Sequence, residues 1–189
     1  MKRVLFLLLF SLSVTLSGQV INFAKTLPQR AWSVGLSPAW HFDRNVILFD
    51  SGGPSFTLSG GYGILYSLDV NARYTYFVNG RDYIGVDVQY LFYEARKSYF
   101  SVIGGLHSWD QFGMDLTGLF TYTPRFEISL STGLDFDLSF GTVVNPRVWV
   151  PLNVGYNVNE MIFIFAEYCL PVSDRSWDIL AIGANVVIR

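Results

Sequence analysis

The chain has 189 residues, a length that fits one domain. Hydrophobic residues make up 51% of it, aromatic residues 17% and charged residues 15%, too apolar for disorder and short of the roughly 25% charge of an ordinary soluble domain. A formal charge of -2, a single cysteine and two histidines argue against a nucleic-acid binder, exclude an internal disulfide and leave no spacing for a structural zinc site.

Lys2 and Arg3 precede a nearly unbroken apolar run, Val4 to Leu12, and a small, polar stretch, Ser13 to Gly18. This is the layout of a secretory signal peptide, with cleavage expected between Gly18 and Gln19 and a second candidate site at Ser17. The run is shorter than the ~20 residues a helical membrane span needs. The expected organisation is a signal peptide over 1–18 and one domain over 19–189. Without Lys2 and Arg3 that domain holds eleven basic and fifteen acidic residues, a net charge of -4.

Beyond residue 19 the longest apolar stretch is Met161 to Ala166, which excludes helical spans. The recurring period is two, which separates faces on a strand and scrambles them on a helix. In chain order, Trp32, Val34, Leu36, Trp40 and Phe42 oppose Ser33, Gly35, Ser37, Ala39 and His41. Phe56, Leu58, Tyr62 and Ile64 oppose Ser55, Thr57, Ser59, Gly61 and Gly63. Ala72 to Asn79 is less regular. Ile84, Val86, Val88, Tyr90 and Phe92 oppose Gly85, Asp87 and Gln89. Ser98 to His107 is again less regular. Met114, Leu116, Phe120 and Tyr122 oppose Asp115, Thr117 and Thr121. Phe126, Ile128, Leu130 and Leu134 oppose Glu127, Ser129, Ser131 and Asp135. Val148, Val150, Leu152, Val154 and Tyr156 oppose Trp149, Pro151, Asn153 and Gly155. Met161 to Cys169 follows, and Leu180, Ile182, Ala184, Val186 and Ile188 close the series.

The breaks fall into two alternating kinds. Asp69 to Asn71, Glu94 to Lys97, Thr123 to Arg125 and Asn157 to Glu160 read as tight turns. Arg44 to Gly53, Asn79 to Asp82, His107 to Gly113, Asp137 to Asn145 and Leu170 to Ser176 read as longer loops. The result is an all-β, up-and-down meander of ten strands, with eight as the alternative count. Pro38 and Pro151 fall inside strands and mark a bulge or a rim, and Gly60, Gly61 and Gly63 suggest local curvature.

The polar face is small and nearly uncharged, whereas the other face is branched and aromatic. A soluble barrel needs Lys, Glu and Arg on its solvent face; apolar outside and small polar inside is the pattern of a closed transmembrane barrel. Closure follows because hydrocarbon cannot satisfy an open sheet edge. Tyr66, Tyr74, Tyr90, Phe92, Phe100, Tyr122, Phe126 and Tyr156 share the apolar parity and read as an aromatic girdle near the tight turns, with Trp40, Phe42 and Phe56 near the opposite rim.

This pattern resembles the small outer-membrane β-barrel proteins of Gram-negative bacteria, over Trp32 to Arg189. The resemblance implies an outer-membrane location, contact with outer-membrane lipid and lipopolysaccharide, and folding by the barrel-assembly machinery; a monomer without cofactor is expected. Many such barrels end in an aromatic residue, whereas this chain ends in Arg189.

Arg73, Asp87, Asp115, Glu127, Asp135, Arg147 and Glu167 share the lumen parity. They form either a network that stiffens the barrel or the lining of a mildly acidic, cation-preferring pore. Tyr99, Trp149, Phe163 and Phe165 share that parity and are expected to plug it. The leading reading is a non-enzymatic, largely filled barrel with an envelope-structural or surface-contact role. A soluble lipocalin-like barrel would instead turn Phe56, Leu58, Tyr62 and Ile64 inward. A lipid-modifying hydrolase would need serine, histidine and carboxylate together; His41 with Asp43 and Ser37, and His107 with Ser108 and Asp110, are the nearest approaches, and neither has the spacing.

Overall fold

The computed structural model describes residues 23–42, 53–78, 80–109, 111–141 and 144–189. The expected signal peptide and nearly all of the loop from Arg44 to Gly53 lie outside the described residues. The strands are β1 (Trp32–Phe42), β2 (Pro54–Leu65), β3 (Leu68–Phe77), β4 (Tyr83–Ala95), β5 (Ser98–Trp109), β6 (Gln111–Arg125), β7 (Ile128–Phe140), β8 (Val144–Asn157), β9 (Ile162–Pro171) and β10 (Asp178–Ile188). Each pairs antiparallel with its sequence neighbour, and β10 returns to β1 from Trp32↔Ile188 to Phe42↔Asp178, closing a ten-stranded barrel. Closure leaves no free edge, so the ladder satisfies the strands' own peptide groups.

The alternation sorts as its chemistry requires. Leu58, Ile84, Val86, Leu116, Val154 and Ile182 are about half exposed on the outside. Ser33, Ser55, Thr57, Thr75, Ser101, Thr121 and Asn153 are buried inside. A barrel carrying a ligand among inward Leu58 and Ile64 is this arrangement turned inside out.

Several boundaries differ from expectation. The β2–β3 turn is Tyr66-Ser67, not Asp69 to Asn71, because Asp69 pairs with Gly63 and Gln89 as part of β3. The β6–β7 turn is Phe126-Glu127, not Thr123 to Arg125. Two expected loops are largely strand: Trp109 pairs with Gln111, and Asp137 pairs with Asp115 and Arg147. For Asp69 and Asp137 the physical reason is shared: a charged residue ends a strand that faces an apolar core, but it continues one that faces a polar lumen, and both carboxylates are buried inside.

Pro38 and Pro151 sit in register, paired with Phe56 and Cys169, and create no bulge. On its other side each proline lies in a lapse of two pairs: β1–β10 passes from Leu36↔Ala184 to Ala39↔Ala181, and β7–β8 from Thr132↔Leu152 to Asp135↔Trp149. A missing donor removes a ladder bond without adding a residue. The register shifts lie beside tight turns, at Gly63/Leu65, Leu91/Tyr93 and Tyr122/Arg125.

Candidate functional site: the barrel lumen

The lumen is filled in three layers. At the turn end, residues 23–28 enter the barrel as a strap. After Trp32 the chain, followed backwards, reverses in a turn in which the Ala31 N–H donates to the Pro28 carbonyl at 3.0 Å and Arg30 adopts a left-handed φ of 65°. The strap then hangs on strands across the lumen. The Leu27 N–H donates to Asp69 Oδ2 at 2.8 Å, the Ala24 N–H to Thr121 Oγ1 at 2.7 Å, and Gln89 Nε2 to the Phe23 carbonyl at 2.8 Å. Phe23 meets Phe163 edge-on at 4.9 Å, and Ala24 packs with Leu91, Tyr99, Ile103 and Leu119. Each bond satisfies a peptide group that the strap cannot satisfy itself.

The middle layer is a polar chamber of about 110 Å³. Arg73 Nη2 donates to Asp87 Oδ1 at 2.6 Å and to Asp115 Oδ2 at 3.1 Å, with its guanidinium 5.4 Å from the Tyr83 ring centre. The Tyr83 hydroxyl adds a bond to Asp115 at 3.3 Å. The Thr117 hydroxyl donates to Asp135 at 2.6 Å, and Thr57 and Thr75 share a hydroxyl–hydroxyl bond.

The loop end is capped by aromatic rings. Trp109 stacks on Phe77 at 5.4 Å and meets Trp177 at 5.3 Å, while Trp177 meets Trp149 at 5.7 Å. The Arg147 guanidinium lies 4.5 Å from the centre of Trp109 and 5.4 Å from that of Trp177. Below it, His107 Nε2 comes within 3.0 Å of Asp137 Oδ2, at an angle that makes no hydrogen bond, and Arg147 lies 3.8 Å from Asp137.

Of the residues expected in the lumen, Arg73, Asp87 and Asp115 converge. Asp135 lines the same chamber, Arg147 belongs to the cap, and Glu167 is 1% exposed and accepts from the Cys169 thiol at 3.3 Å. Glu127 is not a lumen residue: it is exposed in the β6–β7 turn, beyond the last inward position of either strand. Tyr99, Trp149 and Phe165 are buried, and Phe163 is half-buried against Phe23. Arg73 pairs with Ser59 and Gly85, a consequence of the earlier β2–β3 turn.

Of the outward aromatics, Tyr66, Tyr90, Phe92, Phe100, Tyr122, Phe126 and Tyr156 lie toward the turn end. Tyr74 does not: three residues from the end of β3, it lies at the loop end, where its hydroxyl donates to Asp82 at 2.5 Å.

The strap, Asp69, Asp137, Tyr83, Trp109 and Trp177 were absent from the expected set, and His41 and His107 entered it only as hydrolase candidates. Parity alone pointed to Asp69, whose assignment to a turn hid it. Nothing local marked the strap.

Asp43 and Asp110, the carboxylates of the two expected constellations, lie outside the described residues, and among the described residues the histidines form no hydrolytic site. His41 Nε2 lies 2.7 Å from Ser55 Oγ, a serine–histidine spacing, but Trp177 Nε1 donates to His41 Nδ1 at 2.8 Å. In the neutral ring that bond places the proton on Nε2, so His41 donates to Ser55 and cannot take its proton. Ser108 points outward, away from His107.

No family model matches the sequence, and no curated protein matches it. The fold is shared with solved structures. The COG4313 outer membrane channel from Pseudomonas putida F1 has a TM-score of 0.56 at 7% identity, over 90% of this chain and 100% of that one. The KdgM porin has a TM-score of 0.55 at 10% identity, over 83% of this chain and 99% of that one, and is also known in complex with disordered oligogalacturonate.

Proposed function

We propose that this chain is an integral outer-membrane β-barrel protein, non-enzymatic, with a filled lumen and an envelope-structural or surface-contact role. The observation that carries the reading is the inverted distribution of polarity together with a lumen occupied at both ends. Water does not tolerate so large an apolar surface on a monomer, whereas hydrocarbon does. Strands of 10 to 15 residues are long enough to cross. Outer-membrane lipid and lipopolysaccharide would contact the apolar belt, with Tyr66, Tyr90, Phe92, Phe100, Tyr122, Phe126 and Tyr156 at one interface and Tyr74 at the other. Solved neighbours that are outer-membrane channels support the location.

A second reading, a narrow cation-preferring channel, is favoured by the carboxylates around the central chamber. The oligogalacturonate of the KdgM complex does not transfer with the fold, because that ligand is a polyanion and this lumen is acidic.

Reconstitution decides between them. In lipid bilayers, a spin label at Leu116 is expected to report hydrocarbon, and the wild-type chain is expected to be electrically silent. Removing residues 19–28 is expected to raise leak through the barrel. Stable cation-selective conductance by the wild type, altered by Asp115→Asn and not by Glu127→Gln, would defeat the filled-lumen reading. A water-exposed label at Leu116 would defeat the membrane reading.

A further inference from the structure

Two neighbouring hairpin ends, β4–β5 and β6–β7, carry Arg96, Lys97 and Arg125, all three exposed. Two bonds hold these ends side by side: the Lys97 ammonium donates to the Pro124 carbonyl and the Thr123 N–H to the Lys97 carbonyl, each at 2.8 Å. The same ends carry Glu94 and Glu127, so the group keeps one net positive charge. Glu94 accepts from the Tyr66 hydroxyl at 2.6 Å, and among the described residues neither acid forms an ion pair with the three cations. Exposed basic clusters at a membrane surface attract anionic lipid.

Next to the cations the outward wall is aromatic. The Phe100 ring centre lies 6.1 Å from that of Phe92, 5.7 Å from that of Tyr93 and 4.7 Å from that of Phe120. Farther along β5 and β6 the wall falls away. Gly118 faces outward between Val102 and Leu134, and Gly104 between Val88 and Leu116. A Cβ at either glycine would meet nothing within 4 Å. Around Gly104 lies an apolar hollow of about 790 Å³, rimmed by Val86, Val88, Leu106, Met114, Leu116 and Phe136. A glycine inside a strand weakens it and marks a place where a ligand or another backbone comes close. Gly104 stands seven residues beyond Lys97, about 23 Å along the strand. At a strand tilt of roughly 40° that is about 18 Å of depth, which takes a headgroup-level cation to the middle of a hydrocarbon core ~30 Å thick.

We propose that the outer wall of β4 to β7 binds one anionic glycerophospholipid from the leaflet at the turn end. Its phosphate sits on Arg96, Lys97 and Arg125, and one acyl chain runs over Phe100 and Gly118 into the Gly104 hollow. This rests on the membrane reading given above. The cations alone would fit any phosphate; a hollow one leaflet's depth away selects a phosphate that carries an acyl chain. A headgroup of one negative charge matches the one net positive charge of the two hairpin ends, whereas a zwitterionic headgroup leaves it unmatched. A second barrel seated on the hollow would bring no anion to the cations.

The test offers the mature chain, refolded in non-ionic detergent, phosphatidylglycerol and phosphatidylethanolamine of equal chain length, and reads the retained lipid by native mass spectrometry. The expected result is one phosphatidylglycerol per chain, favoured about tenfold over phosphatidylethanolamine. Arg96→Gln, Lys97→Gln and Arg125→Gln together are expected to erase that preference, while Arg175→Gln, at the loop end, keeps it. Gly104→Leu fills the hollow and is expected to weaken retention of both lipids several-fold, with an unfolding midpoint unchanged or raised, which separates lost binding from lost folding. In vesicles of the two lipids, a spin label at Ile182, on β10 across the barrel from β5, reports whether the wall meets hydrocarbon. Water at Ile182 overturns the membrane reading and this proposal together. Hydrocarbon at Ile182 with equal retention of the two lipids, or with the wild-type preference in the triple variant, overturns this proposal alone. Retention of lipopolysaccharide in place of phosphatidylglycerol, or a dimer that Gly104→Leu breaks, overturns it as well.

Discussion

Arg73 carries more of the lumen than any other single side chain. Its Nη2 bridges Asp87 and Asp115, strands apart in sequence, and its guanidinium faces the Tyr83 ring. The bond to Asp87, at 2.6 Å, is a short charge-assisted contact. Replacing Arg73 by methionine keeps much of the volume and leaves two buried carboxylates facing each other. The expected cost is about 3–5 kcal/mol, the range for breaking a buried ion pair from one side. Urea unfolding of the variant in lipid vesicles measures it. Arg73→Met combined with Asp87→Asn and Asp115→Asn should recover most of the loss, because the penalty lies in the uncompensated charge rather than in the missing arginine.

At the scale of elements, the strap is the least regular part of the described chain, yet it sets the state of the turn end. It makes no ladder. Its position depends on the reversal at residues 28–31 and on anchors to β3, β4 and β6. Arg30 holds its left-handed φ of 65° in that reversal, which costs a side-chain-bearing residue about 1 kcal/mol. Arg30→Gly should therefore leave stability unchanged or raise it slightly, the relief being offset by a more flexible unfolded chain. Arg30→Val should lower the unfolding midpoint and expose Gln89 and Thr121, the strap's partners, to solvent. Hydrogen exchange at the amide of Leu27 follows this directly: it should accelerate in Arg30→Val and stay slow in Arg30→Gly.

At the scale of the whole molecule, an even number of strands in a meander places the start of β1 and the end of β10 at one end, with the turns Tyr66-Ser67, Arg96-Lys97 and Phe126-Glu127. The segment between β9 and β10, which carries Trp177 into the cap, lies at the other. If the barrel sits as proposed, turns inside and loops outside, a short epitope beside Asp174 should be reached by antibody on intact cells. One between Arg96 and Lys97 should be reached only after the outer membrane is opened. The reverse pattern would invert the orientation without disturbing the fold.

The count of strands, their antiparallel order and the parity of seven of the ten were legible in the sequence, because a strand's side-chain alternation is a property of local covalent geometry. Ser33 against Val34, or Asp115 against Leu116, needs no distant contact to sort. The closed barrel followed from the same alternation, since its apolar face runs through nearly every strand. Tertiary structure decided the rest. The register of β3 against β2 and β4 moved the turn to Tyr66-Ser67 and so brought Asp69 into the lumen. The length of β6 against β7 pushed Glu127 out of it. The strap's bond from Ala24 to Thr121 joins residues 97 apart, and Trp177 reaches His41 across 136. What fills a lumen is chosen by the space between strands that meet only once the barrel closes, and no local pattern encodes that space.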